Sequence, residues 1–127
     1  MTSLQFIGKL RAAALAAGIA RFSFAQEPGN GFGGNLPLPA AWADTDKLSV
    51  SQAYNYCAFR QVLIIASAQK GDEGLAEAEA LFSRIMAQLS ADPDLIPAPI
   101  IKSSPLPAFS SGNLSAFSFV LECFAPV

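Results

Sequence analysis

Three glycines in the stretch PGNGFGGNLPLP (Gly29, Gly31 and Gly34) have the G-x-G-x-x-G spacing of a dinucleotide-binding turn. In such a turn the backbone approaches a pyrophosphate, and a helix opens at once with its N-terminus facing the phosphates. Here the glycines run into Asn35-Leu36-Pro37-Leu38-Pro39. A residue before proline is pushed out of the helical region, so Leu36 and Leu38 favour extended backbone and no helix can begin there. The spacing therefore carries no nucleotide chemistry. The stretch is instead a long connection between two strand-like segments, and connections beyond about 12 residues are commonly functional. Its apolar residues Phe32, Leu36 and Leu38, with Trp42 just beyond, are the expected partner-docking residues.

The carboxylates come in near pairs: Asp44 with Asp46, Asp72 with Glu73, Asp92 with Asp94. Paired acids can hold Mg²⁺ or Ca²⁺, and Asp44-x-Asp46 is the pair on which a metal-dependent enzyme would rest. The surrounding segment lacks the further ligands and the glycine of a calcium loop. Asp72 and Glu73 suit the start of a helix, and Asp92 and Asp94 bracket Pro93 in a turn. The chain contains no histidine, which removes Ser-His-Asp and Cys-His catalysis. Ser103, Ser104, Ser110 and Ser111 have no G-x-S-x-G elbow around them. Cys57 and Cys123 lie in apolar strand-like runs and are expected to be buried thiols. The expectation is a protein without catalytic residues, metal or cofactor.

These residues must be carried by a scaffold of 127 residues, read as one domain, 1–127. Thr2 and Gln5 have capping-box spacing ahead of a helix over 2–17, whose stripe is expected at Leu4, Ile7, Leu10, Ala14 and Ala17, with Gly18 as its C-terminal stop. The segment GKLRAAALAAGIARFSFAQE has the early positive charge and apolar run of an export signal. Arg21 interrupts that run, so an amphipathic helix is expected instead. Residues 20–26 alternate as a strand, and 40–51 form an extended segment around Trp42. Residues 55–68 are a strand whose continuous apolar run Val62–Ala66 predicts cover on both faces. A helix over about 73–91 presents Leu75, Ala78, Phe82, Ile85, Met86 and Leu89 on one stripe. The proline-rich 97–113 is confined to loops or edges, with a short edge strand in PIIKS. Residues 114–124 close the chain as a strand with Phe117, Phe119, Leu121 and Cys123 on one face. The fold class is α+β: a mixed, mainly antiparallel sheet with two helices packed on one face.

Charged residues are only 14% and hydrophobic ones 52%, against about 25% charged in ordinary domains. The eight Lys and Arg are scattered with no basic run, which gives no signal for nucleic-acid binding. So apolar a surface suggests a subunit that buries part of it against other protein.

The order helix, strand, long loop, two strands, helix, strand or hairpin resembles the tail terminator proteins of long-tailed bacteriophages. It is carried by LQFIGKLRAAALAAGIARFSFAQ, CAFRQVLIIASAQKG, LAEAEALFSRIMAQLSADPDL and LSAFSFVLECFAPV. The resemblance implies a self-associating ring, a hexamer, that caps the tail tube and ends tail polymerisation. Its implied partners are the tail tube protein, the sheath protein where the tail is contractile, and a head–tail connector or stopper protein. DNA would pass through the lumen without specific binding. The implied place is the neck of the virion, reached from the host cytoplasm during assembly. Two alternatives stand beside it: a connector or stopper subunit of the phage neck, and a dimeric α/β ligand-binding module.

Overall fold

The computed structural model describes residues 1–24, 38–97, 106–111 and 114–126. Thr2 opens the first helix, α1 (Ser3–Ala16): its Oγ1 accepts the Gln5 N–H at 3.1 Å, and Gln5 Oε1 accepts the Thr2 N–H at 2.8 Å. Gly18 follows the helix at φ +109°, a conformation that costs glycine nothing. The buried stripe differs from the expected one. Leu4 is 82% exposed, while Phe6 is fully buried and stacks on Phe59 at 4.8 Å. An alanine-rich helix has little hydrophobic contrast between its faces, so its rotation is set by where the one large flat ring finds a stacking partner.

Three short strands and one long one follow. They are β1 (Arg21–Phe24), β2 (Ala40–Ala43) and β3 (Ser49–Ala53), then the 12-residue β4 (Tyr56–Ser67). The expected extended segment 40–51 is thus two strands, separated by a 3₁₀ turn at Thr45–Lys47. The second helix, α2 (Gly71–Ser90), begins two residues before the expected start and keeps Asp72 and Glu73 in its first turn, where the helix dipole favours negative charge. It is followed by β5 (Ile96–Pro97), β6 (Leu106–Ser111) and β7 (Leu114–Pro126). The PIIKS strand falls outside the described residues.

Among the described residues these seven strands form one mixed, mostly antiparallel sheet, and the fold is α+β. Its spine is the antiparallel pair of β4 and β7, in register from Tyr56 opposite Pro126 to Ser67 opposite Ser115. One side of β4 carries β2 and then β3 along its length; the free side of β7 carries β6 and then β5. Only β1 and β2 run parallel. A parallel return needs a connection of about a dozen residues or more, so the length of segment 25–39 is a demand of topology before it is a sign of function.

Side chains alternate along the spine. Cys57, Phe59, Gln61, Leu63 and Ile65 of β4 share a face with Phe119, Leu121, Cys123 and Ala125 of β7, and both helices cover that face. Phe82 of α2 stacks on Phe119 at 4.6 Å, as Phe6 of α1 does on Phe59. The stripe of α2 includes Leu81 at full burial, whereas Leu75 and Met86 are only half-buried.

Candidate interaction surface

The other face of the sheet is divided. At the end of β4 that leads into α2, Ile64 and Ala66 join Ala40, Trp42 and Ala116 in a second buried cluster, against which the half-buried Leu38 packs. This is the cover on both faces that the apolar run Val62–Ala66 predicts. Trp42, expected to dock on a partner, is 6% exposed and belongs to the subunit's own packing. Leu38 is committed to the same cluster. Phe32 and Leu36 lie outside the described residues, as do Gly29, Gly31 and Gly34. The chain is described again from Leu38 and runs into strand β2, not into a helix.

At the opposite end the same face is uncovered. β3 and β4 form a hairpin with Ala53 opposite Tyr56, which leaves the two-residue loop Tyr54-Asn55. Ser51, Tyr54, Tyr56, Ala58, Phe124 and Ile96 line an open groove of about 440 Å³. Tyr54 is 98% exposed, Ile96 57% and Tyr56 50%. Tyr54 also has φ +54°, the left-handed region that bulky residues rarely enter. Two-residue hairpin loops normally place glycine or asparagine at positive φ. A fully exposed ring held in a costly backbone conformation is the kind of feature found at binding sites. From Leu48 to Phe59 there is no charged residue; charge begins just beyond, where Arg60 stands opposite Glu122 on the groove's face of β4 and β7 and the N-terminal ammonium lies 3.4 Å from the Pro126 carbonyl.

The acid pairs do structural work. Asp44 is buried; its Oδ1 accepts the Asp46 N–H at 3.2 Å, its carbonyl accepts the Lys47 N–H at 3.0 Å, and its Oδ2 lies 3.7 Å from Lys47 Nζ. It caps the 3₁₀ turn. Asp92 accepts a 2.6 Å hydrogen bond from Lys9 Nζ and ties α1 to the end of α2, with Asp94 at 3.6 Å from the same ammonium. This hydrogen bond, donated by Lys9 to the Asp92 carboxylate, raises the Lys9 pKa and lowers that of Asp92. Among the described residues no three His, Cys, Asp or Glu side chains gather as a metal site. Both cysteines are free and buried, and burial, with the Glu122 charge behind it, pushes the Cys123 thiol up to about 12. It is therefore a protonated, poor nucleophile near neutral pH.

A second groove, about 600 Å³, runs between the helices past Gly8, Ala12, Ala16 and the Lys9–Asp92 pair. It holds no nucleophile or acid–base pair and is bridged by that ion pair. No known protein family matches the chain, and no curated protein does.

The sequence contained part of the signal for the hairpin end. Tyr54-Asn55-Tyr56 stands out as two aromatics around a turn residue, and the run without charge is visible by inspection. What it lacked was the pairing that brings Phe124 and Ile96, some 70 and 40 residues away in sequence, beside Tyr56 and Ala58.

Proposed function

We propose that the protein is a structural assembly subunit: a tail-terminator-type protein that associates with its own copies in a ring, caps the tail tube, ends tail polymerisation and offers a surface to the head-completion proteins. The observation that carries this reading is the uncovered hairpin end of the sheet, whose apolar groove is lined without a charged side chain. A subunit that closes its core on both faces at one end and leaves Tyr54, Tyr56 and Ile96 in solvent at the other has apolar area to bury against protein. Neighbouring copies and the last ring of the tube would take that area. DNA would pass through the ring without a specific site, and the work is mechanical with no bond made or broken.

The test is a capping assay. Purified protein is added to polymerising tail tube protein, and tube lengths are measured by electron microscopy alongside light scattering of the free protein. The expected result is tubes of limited length with a ring of density at one end. Tubes that grow to the same lengths with and without the protein, and no density at their ends, would overturn the reading.

A further inference from the structure

Among the described residues four strands have an outer edge: β1, β3, β5 and β6. An open edge offers unpaired N–H and C=O groups to any extended chain, and proteins blunt such edges with charge, proline, bulges or short length. β1 carries the exposed Arg21. β5 is two residues long and contains Pro97, which has no N–H to give. β6 contains Pro107 and a register shift between Pro107 and Phe109. β3 has none of these devices. Its five residues Ser-Val-Ser-Gln-Ala carry no charge, no proline and no bulge, and Ser49, Val50, Ser51 and Gln52 are all exposed.

We infer that β3 pairs edge to edge with β3 of a second copy of this chain, antiparallel, about a two-fold axis at Ser51. The register follows from the hairpin. A two-residue loop makes Ala53 and Tyr56 a hydrogen-bonded pair. Ser51 and Ser49 then also turn their N–H and C=O toward β4, and Val50 and Gln52 turn theirs outward. An axis at Ser51 sets Val50 against the second copy's Gln52 and Gln52 against its Val50. Each of these pairs exchanges two backbone hydrogen bonds, so both outward-facing residues of each copy are satisfied. Ser51 meets the second copy's Ser51 as a non-hydrogen-bonded pair, the closer of the two spacings.

The same register suits the side chains. Lys47, the nearest charge before the strand, falls opposite the second copy's Asn55, so no like charges meet. Tyr54 falls opposite the second copy's Leu48, which is half-buried. Ser51 lies on the rim of the apolar groove, so the two grooves become one floor across the axis. Two arguments favour a second copy over a foreign strand. The described residues offer one bare edge and no second bare edge to receive it, which fits a closed isologous contact. The five side chains of the edge strand also carry none of the charge by which unlike partners select each other. The pair uses the hairpin end that the ring reading gives to neighbouring copies or the tube, but a ring closes through head-to-tail contacts and the pair through a two-fold axis, so the two can be told apart.

The test is sedimentation velocity of the whole chain over a concentration series, with two variants. Ser51→Lys sets two ammonium groups face to face on the axis. It is expected to weaken dimerisation at least tenfold while the far-UV spectrum stays that of the parent and the melting temperature matches it at concentrations where both are monomeric. Ser51→Cys is expected to form a disulfide-linked dimer under mild oxidation much faster than Ala76→Cys, an exposed control on α2; the native thiols are buried. A parent that stays monomeric throughout overturns the inference. So does a dimer that Ser51→Lys leaves equally tight, or cross-linking of Ser51→Cys no faster than the control. A six-membered particle that Ser51→Lys leaves intact would sink the pairing and leave the ring standing. Dimers that dissolve with Ser51→Lys, from a protein that never caps tubes, would do the reverse.

Discussion

Replacing the fully buried Gln61 with methionine should leave the fold as stable as it is, or stabilise it by up to about 1 kcal/mol. β2 stops opposite Leu63 and β3 starts opposite Arg60, so β4 has no strand beside it at Gln61 and Val62 on that edge. The Gln61 amide fills the gap: its Nε2 donates to the Asp44 carbonyl at 2.6 Å and to the Val62 carbonyl at 2.8 Å. Each carbonyl has a second donor. The Lys47 N–H reaches Asp44 O at 3.0 Å, and the Asp44 N–H reaches Val62 O at 3.2 Å. Gln61 Oε1 is buried with no hydrogen-bond partner among the described residues. Losing two hydrogen bonds costs about 1–3 kcal/mol, and removing one orphaned acceptor returns about 1–3 kcal/mol. Methionine has nearly the same volume and adds apolar burial. The sum lies near zero, although a fully buried, hydrogen-bonded side chain has been removed. Gln61→Glu is the counterpart. It has the same size but puts an oxygen against two carbonyl oxygens and must stay protonated, so it should cost at least about 3 kcal/mol at neutral pH. Urea unfolding followed by circular dichroism gives both values, compared at equal m. A loss above about 2 kcal/mol in Gln61→Met would refute the reasoning, because it would mean that Oε1 is satisfied after all.

Three further substitutions probe other links. A Cβ on Gly74 would lie 2.6 Å from the Gln69 carbonyl oxygen and 2.7 Å from Ser115 Oγ, which itself donates to Gln69 O. The gain in helix propensity, about 1 kcal/mol, is outweighed by overpacking against fixed backbone. Gly74→Ala should lower the melting temperature by several degrees, and an unchanged or higher value would show that the start of α2 is loosely packed. The lowered pKa of Asp92 gives stability that is complete above about pH 4 and lost as the pH falls through its folded value; the raised pKa of Lys9 gives stability that is complete below about 10.5 and lost above its folded value. Asp92→Asn should therefore reduce stability by about 0.5–1 kcal/mol between those limits and converge on the parent at both extremes; a constant offset at every pH would contradict the assignment. Tyr54→Gly relieves the positive φ and should hold or raise monomer stability by up to about 1 kcal/mol while weakening self-association in sedimentation; a clear fall in monomer stability would mean the ring packs within the subunit.

Much of the scaffold was legible because its signals are local. The Thr2–Gln5 capping box, the Gly18 stop and the acidic first turn of α2 each act within a few residues. The alternation in 114–124 put Phe117, Phe119, Leu121 and Cys123 on one face without reference to anything else. What failed to show was whatever depends on pairing over distance. Parallel pairing of β1 with β2 explains the length of segment 25–39, yet nothing in either strand announces its direction. Leu4 and Phe6 differ in burial because of the stacking partner Phe59, which lies 53 residues beyond Phe6. Trp42 shows the hazard most plainly. Expected to dock on a partner, it is enclosed instead by Ile64 and Ala66, which come alongside it through β2–β4 pairing.

That enclosure also changes what the composition implies. A chain with 52% hydrophobic and 14% charged residues suggests apolar surplus on its outside, but part of the surplus is internal, because the sheet builds a second cluster on the face away from the helices. The surplus that remains outside is not spread evenly. Of the large apolar side chains left exposed, Val50, Tyr54, Tyr56 and Ile96 belong to the hairpin end or the strand beside it, while Leu4 and Leu15 stand on α1 and Phe24 ends β1. Scattered single residues such as Leu4 require no partner. A cluster beside the one unguarded strand edge among the described residues is different, since apolar area can supply affinity there and bare backbone groups can set how a strand aligns. Among the described residues, the apolar surplus left outside is gathered mainly at this corner of the molecule. A protein whose copies or partners met it elsewhere, leaving Tyr54, Tyr56 and the β3 edge in water, would have its low charge for a reason unconnected with assembly.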